Sequence, residues 1–212
     1  MTKLKKIVTP QLPSRAAWSR CLERDRSPVE AAAFLARVQA RYADLLSEAP
    51  PEPNRALRRH RDGNILPAVA VIQVLAMDGV EKEQALALLD RLLESGLDTS
   101  KRLYTFWGRF PFFFDMLRIV IKPMMRMQFP TERWRTTYPD LGPDVVALDC
   151  HGCYYRDTLS AYDMADITAH FCRVDDYLYE GVSPYVRFER TQTIGRGGEL
   201  CDFRYYRVRP AK

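Results

Sequence analysis

Three separated stretches towards the C-terminal end of the chain carry side chains able to do chemistry. Cys150-His151-Gly152-Cys153 is a CxxC enclosing a histidine, Cys172 precedes Asp175 and Asp176, and Cys201-Asp202 follows a glycine-rich turn. Residues three and four apart are neighbours on a helix, so the Cys172 thiol would lie beside at least one carboxylate. A carboxylate alone raises a thiol pKa, and only the thiolate attacks. A reactive Cys172 therefore needs His170, Arg190 or another cation nearby. Plain packing is the commoner role of a helical cysteine on an apolar stripe. The CxxC has three readings. A redox pair should open a helix after a strand, which its flanks support poorly. A zinc site would need Cys172, Cys201 or a histidine folded against it. A single reactive thiol would use His151 or His170 as its base. Spacing leaves all three open.

The elements that must position these groups follow from periodicity and punctuation. Ser27-Pro28-Val29-Glu30 sets a cap, a proline at the first helical position and a glutamate three residues after the cap. A helix is predicted from there to about Glu48, where Pro51 and Pro53 stop it. Further helices are predicted over 66–77, over 82–95 with Gly96 as terminator, over 100–127 with an interruption or kink at Pro111, and over 161–179. Val145-Val146-Ala147-Leu148 is a short strand candidate. Residues 185–193 and 200–208 read as strands of a hairpin joined through Ile194-Gly195-Arg196-Gly197-Gly198. Alternation then puts Cys201, Phe203 and Tyr205 on one face of the last strand, and Val186, Phe188 and Arg190 on the more apolar face of its partner. A guanidinium there needs an anion, either an Asp of the preceding helix or a bound ligand. Helices first and strands later is an α+β order, with a helical N-terminal part packed on a small, mainly antiparallel C-terminal sheet. Residues 1–26 read as a loosely ordered or docking arm, 27–130 as the helical part and 131–212 as the α+β part, the two larger parts sharing one core.

Composition narrows the function classes. A chain of 212 residues, 47% hydrophobic and 28% charged, can bury a real core. Its net charge of +5 is spread out, with only short clusters such as Arg58-Arg59-His60-Arg61. No basic stripe interleaved with stacking aromatics marks a nucleic-acid binder. The nearest approach to a membrane span, residues 110–121, is broken by Pro111, Asp115 and Arg118, and Pro10 and Pro13 break the apolar stretch a secretory signal requires. Five cysteines, an odd number, suit a cytoplasmic protein with reduced thiols. The expectation is a cytoplasmic protein with a small-molecule substrate, no cofactor, no bound metal, and neither nucleic acid nor membrane as partner.

The stretch 149–204 resembles the L-2-amino-thiazoline-4-carboxylic acid hydrolase family. The likeness rests on Cys153, on Cys172 followed by Asp175, on Phe188-Glu189-Arg190-Thr191-Gln192-Thr193-Ile194-Gly195, and on Cys201-Asp202-Phe203-Arg204. Its specific part is the composite R-T-x-T-x-G-x-G-G-x-x-C-D-F-R; Cys21 and Cys150 lie outside the pattern. The resemblance implies a hydrolase that opens a cyclic amidine-like ring at a C–N bond, with a pocket for a carboxylate-bearing heterocycle or amino-acid-derived substrate. It implies Arg190 as the clamp for the substrate carboxylate, with Thr193 and Asp176 beside it. Cys201, Cys172, Cys153, Asp175 and His170 become the candidates for nucleophile and proton transfer. Ring closure or another non-hydrolytic step in specialised biosynthesis is the alternative, as is a non-catalytic small-molecule or metal-binding module.

Cys153, Cys172 and Cys201 are expected to converge on one pocket, with Cys150 directed elsewhere. Cys201, beside the glycine-rich turn, is the preferred nucleophile. Arg190 is expected in the same pocket, on a substrate anion or on Asp175. The segment from Trp107 to Met127 is more aromatic and soft than one helix needs. Core packing against the sheet is its simple explanation, and an enlarged apolar pocket or a face for a homo-oligomer or partner protein is the sharper one.

Overall fold

The Ser27 hydroxyl accepts a hydrogen bond from the Glu30 amide at 3.3 Å, and the Glu30 carboxylate accepts one from the Ser27 amide at 2.9 Å. This closed capping box starts helix α2 (Pro28–Glu48) where the sequence places it. The computed structural model describes residues 11–209, so the first ten residues of the expected arm lie outside the described residues. The rest of that arm is more ordered than expected. Arg15–Leu22 forms a helix, α1, because Trp18, Cys21 and Leu22 are apolar enough to be buried.

After α3 (Arg55–His60) and a π-helical turn, Arg61–Ile65, comes α4 (Leu66–Met77). Apolar nearly all round, α4 is the central helix, with Ala68, Val69, Ala70 and Val71 fully buried. The helices predicted over 82–95 and from 100 onward are one continuous α5 (Lys82–Gly108). Gly96 does not terminate it. A methyl there would meet the Ser14 hydroxyl at 3.3 Å, so this glycine accommodates the chain entering α1, and packing of α5 on α1, α4 and the helix Thr168–Tyr179 outweighs its poor helix propensity. The break comes at residues 109–112, around Pro111, before α6 (Phe113–Gln128).

The C-terminal part follows as α7 (Thr131–Trp134), β1 (Thr136–Leu141), β2 (Val145–Cys150), α8 (Tyr154–Ser160), α9 (Thr168–Tyr179), β3 (Val186–Glu189) and β4 (Cys201–Arg207). The predicted helix over 161–179 begins late, because residues 161–167 form a turn, with Asp163 left-handed at φ 56°, and a 3-10 turn. The four strands form an antiparallel sheet in the order β1-β2-β4-β3, so the fold is α+β as expected. One hydrophobic cluster joins Trp18, Leu35 and Leu89 to Ile121, Val146, Leu148 and Tyr205. α6 approaches the sheet through the Asp115–Arg207 ion pair and through Lys122 over the Tyr138 ring. Among the described residues no helix is long and apolar enough to cross a membrane.

Candidate functional site

Thr168, Cys172, Asp175 and Tyr179 stand at i, i+4, i+7 and i+11 on α9, a stripe of functional groups where a buried helix usually carries aliphatics. The opposing sheet face is set by register. Cys150 pairs with Cys201, Leu148 with Phe203, Val146 with Tyr205, and Phe188 also with Tyr205, so all seven side chains share one face. The Tyr179 ring lies 4.8 Å from Phe188 and 5.2 Å from Tyr205, which seats α9 on that face. The Tyr104 ring lies 5.8 Å from the Tyr179 ring, so three tyrosines, Tyr104, Tyr179 and Tyr205, pack in sequence in the electrostatic neighbourhood of Asp175.

The thiols lie together. Charge on Cys172, Cys150 or Cys153 would in each case push the Cys201 thiol up. Cys150 therefore belongs to the group, against the expectation that it points elsewhere, because a direct cross-strand partner of Cys201 must share its face. Cys153 caps α8 through a sulfur that accepts from the Arg156 amide at 3.4 Å, and the Cys201 sulfur accepts from the Ile194 amide at 3.3 Å. Burial pushes the Cys150 and Cys201 thiols up to about 12, and it also raises Cys153. A thiol at that value holds only about one part in 10⁵ as thiolate at neutral pH, which weighs against Cys201 as nucleophile although it does sit beside the glycine-rich turn. Among the described residues no three His, Cys, Asp or Glu side chains are arranged to hold a metal ion.

Arg190 takes the second of its two expected places. Its side chain, 2% exposed, donates from Nη1 to Asp175 at 2.9 Å and from Nη2 to Asp176 at 2.7 Å and the Cys172 carbonyl at 2.8 Å. The rings of Phe203 and Phe188 lie 5.2 and 5.9 Å from the guanidinium. Its Nε is buried without a partner, as is the Thr168 hydroxyl on the same helix stripe as Cys172. Each unsatisfied buried group costs about 1–3 kcal/mol. Burial pushes Asp175 up to about 6, against the pull of Arg190 and with the charge of Asp176 adding to the rise. By area its side chain is still 36% exposed, so protein crowds the residue without sealing it off. Arg190 and Asp176 also line a groove of about 890 Å³ with Tyr179, Phe188 and Thr191. None of the cysteines lines that groove. Arg190 is where it meets the thiols.

The most recognisable motif is mainly a device for building this loop. The Asp202 carboxylate accepts from the Thr191 amide at 2.9 Å, the Gln192 amide at 2.8 Å and the Thr191 hydroxyl at 2.5 Å. Thr193, expected to bind substrate, is 1% exposed and its hydroxyl oxygen caps the 3-10 turn Ile194–Arg196 by accepting from the Arg196 amide. Gly197 takes a left-handed φ of 89°, and Gly195 lies against Cys172, where a methyl would come within 2.6 Å of the sulfur. His170, expected to move protons beside the thiols, faces the other way. Two residues from Cys172 on a helix, it bonds Asp90 of α5 through Nδ1 at 2.7 Å. Asp176 also pairs with Arg196 at 2.7 Å. Thr168 and Tyr179 have no role in the sequence pattern read above, although their i, i+4, i+7, i+11 spacing with Cys172 and Asp175 marks both, and Tyr205 appears there only as a face-mate of Cys201.

Comparison with protein families gives one match: the model described as L-2-amino-thiazoline-4-carboxylic acid hydrolase, over residues 58–205. No curated protein and no solved structure matches the chain.

Proposed function

The chain belongs to the L-2-amino-thiazoline-4-carboxylic acid hydrolase family, and on that premise we propose that it adds water to a small, carboxylate-bearing cyclic amidine. Asp175 carries this reading. A carboxyl held near pH 6, partly exposed and bonded to a buried guanidinium, suits proton transfer near neutrality. In the proposed step the Asp175 carboxylate takes a proton from water as the water oxygen bonds to the amidine carbon. That proton passes to the ring heteroatom as its bond to the same carbon breaks. One water is consumed and Asp175 returns to its carboxylate form. The substrate enters by the groove that Arg190 lines, and its carboxylate pairs with the Arg190 guanidinium. Cys150, Cys153 and Cys201 then form a packed wall behind it.

A second reading has one specific support. The Arg190 guanidinium is the cation that Cys172 would need, being close enough to interact with charge on that sulfur. Cys172 would then attack the amidine carbon, and water would release the adduct. A panel of cyclic amidine carboxylic acids, followed by thermal shift and by mass spectrometry, tests both readings. Gain of one water with loss of activity in Asp175→Asn supports the first, and loss confined to Cys172→Ser supports the second. Loss of one water from the corresponding open-chain acids, assayed alongside, identifies ring closure instead. A panel that neither stabilises the protein nor turns over contradicts the proposal.

A further inference from the structure

The end of α5 and the whole of α6 carry apolar faces that the fold leaves uncovered. Leu103, Phe106, Trp107 and Phe110, at i, i+3, i+4 and i+7, are 57, 51, 39 and 37% exposed, and Phe112 is 49% exposed. These rings touch one another across the turn, with Phe110 stacked on Phe112 at 5.3 Å. α6 is apolar on two sides. Phe113, Phe114, Leu117, Ile121 and Met125 are buried, while Ile119, Val120 and Met127 continue the line of Phe112 on the outer side at 70, 40 and 69% exposure. A continuous exposed apolar face of this kind marks a binding surface.

Charge identifies what the face fits. Residues 100–128 hold six basic side chains, Lys101, Arg102, Arg109, Arg118, Lys122 and Arg126, and a single acidic one, Asp115. Asp115 is occupied by Arg207. Arg102, Arg109 and Arg126 are exposed, and neither they nor Arg118 form an ion pair among the described residues. A second copy seated across a two-fold axis would set these cations against their own images. An anionic lipid surface answers both features, because headgroups supply the missing counter-charge and the interface takes up Trp, Phe, Leu and Met. We propose that the α5 end and α6 together form a peripheral docking face for anionic membranes. Such an interfacial face needs no membrane-spanning segment.

Trp107 is a built-in reporter, since Trp18 and Trp134 are only 3 and 6% exposed. The full chain is mixed with phosphatidylcholine vesicles containing or lacking phosphatidylglycerol, and followed by co-sedimentation and tryptophan emission. Binding to the anionic vesicles, a blue shift that Trp107→Phe abolishes without abolishing binding, and weakening by salt are expected. Reversing Arg102, Arg109 and Arg126 to glutamate should lower partitioning on the order of a hundred-fold, at roughly five-fold or more per basic residue. All three are exposed, so an unchanged thermal melt verifies that this variant is folded. Phe106→Ser with Phe112→Ser should lose binding in the same way. No partitioning, or equal partitioning with and without phosphatidylglycerol, overturns the proposal. So does a dimer in light scattering that shields Trp107 and is lost in the double serine variant, because the face would then be a protein interface.

Discussion

Replacing Arg190 with methionine removes the guanidinium yet leaves an apolar stem between Phe188 and Phe203, so packing is largely kept. Removing one partner of a fully buried pair costs about 3–5 kcal/mol. Here Asp175 and Asp176 are 36 and 41% exposed, and Asp176 keeps Arg196, so solvent and the second arginine reduce the cost. A loss of about 2–3 kcal/mol is expected at pH 8. The loss depends on pH. Asp175 is raised to about 6 when folded, above the usual range of an unfolded aspartate, so the folded state holds this proton more tightly. Wild-type stability from this group is greatest below the unfolded pKa and is lost as pH rises through about 6. Arg190 pulls Asp175 down, so in the variant the folded-state pKa moves further up and the decline extends to higher pH. At pH 5 Asp175 is mostly protonated in both folded proteins, and the difference between them shrinks. Urea unfolding at pH 5 and pH 8 measures both values. An equal loss at the two pH values, or none at pH 8, refutes the reasoning.

Gly195→Ala drives a methyl to 2.6 Å from the Cys172 sulfur and 3.1 Å from the Thr168 backbone carbon, so a loss of about 1–3 kcal/mol in thermal or urea unfolding is expected. Burial pushes Asp202 up, but hydrogen bonds from Thr191 and Gln192 outweigh it and hold the carboxyl below its usual range. Its stabilisation is present above the unfolded pKa and lost as pH falls, so Asp202→Asn should lower stability at pH 7 and flatten the acid limb of stability against pH. His170→Ala should leave turnover within a few-fold of wild type, since His170 bonds Asp90 on α5; a loss of several orders of magnitude would return it to the reaction.

Local signals were legible where a few residues decide the outcome. The capping box at Ser27–Glu30, the break around Pro111 and the period-two faces of β3 and β4 all reappear in the fold. Signals that depend on a distant partner misled. Gly96 resembles a helix terminator until Ser14 is seen beside it, and Cys150 falls outside the family pattern yet sits opposite Cys201. β1 and α8 lacked a clear period and went unread. At the site, alternation put Arg190 on the apolar face, but only the register and the packing of α9 show that both aspartates already hold it. The reactivity of the thiols was least readable, because it depends on how deeply the sheet and α9 bury them.

The most direct test of the proposed proton transfer is kcat/KM against pH for wild type and Asp175→Asn on whichever cyclic amidine acid turns over. The wild type should lose activity as pH falls through about 6, where Asp175 takes up its proton. Asp175→Asn should be slower by about 10²–10⁴-fold, with that acid limb gone. Near-normal turnover in Asp175→Asn, or an unchanged acid limb, contradicts the account.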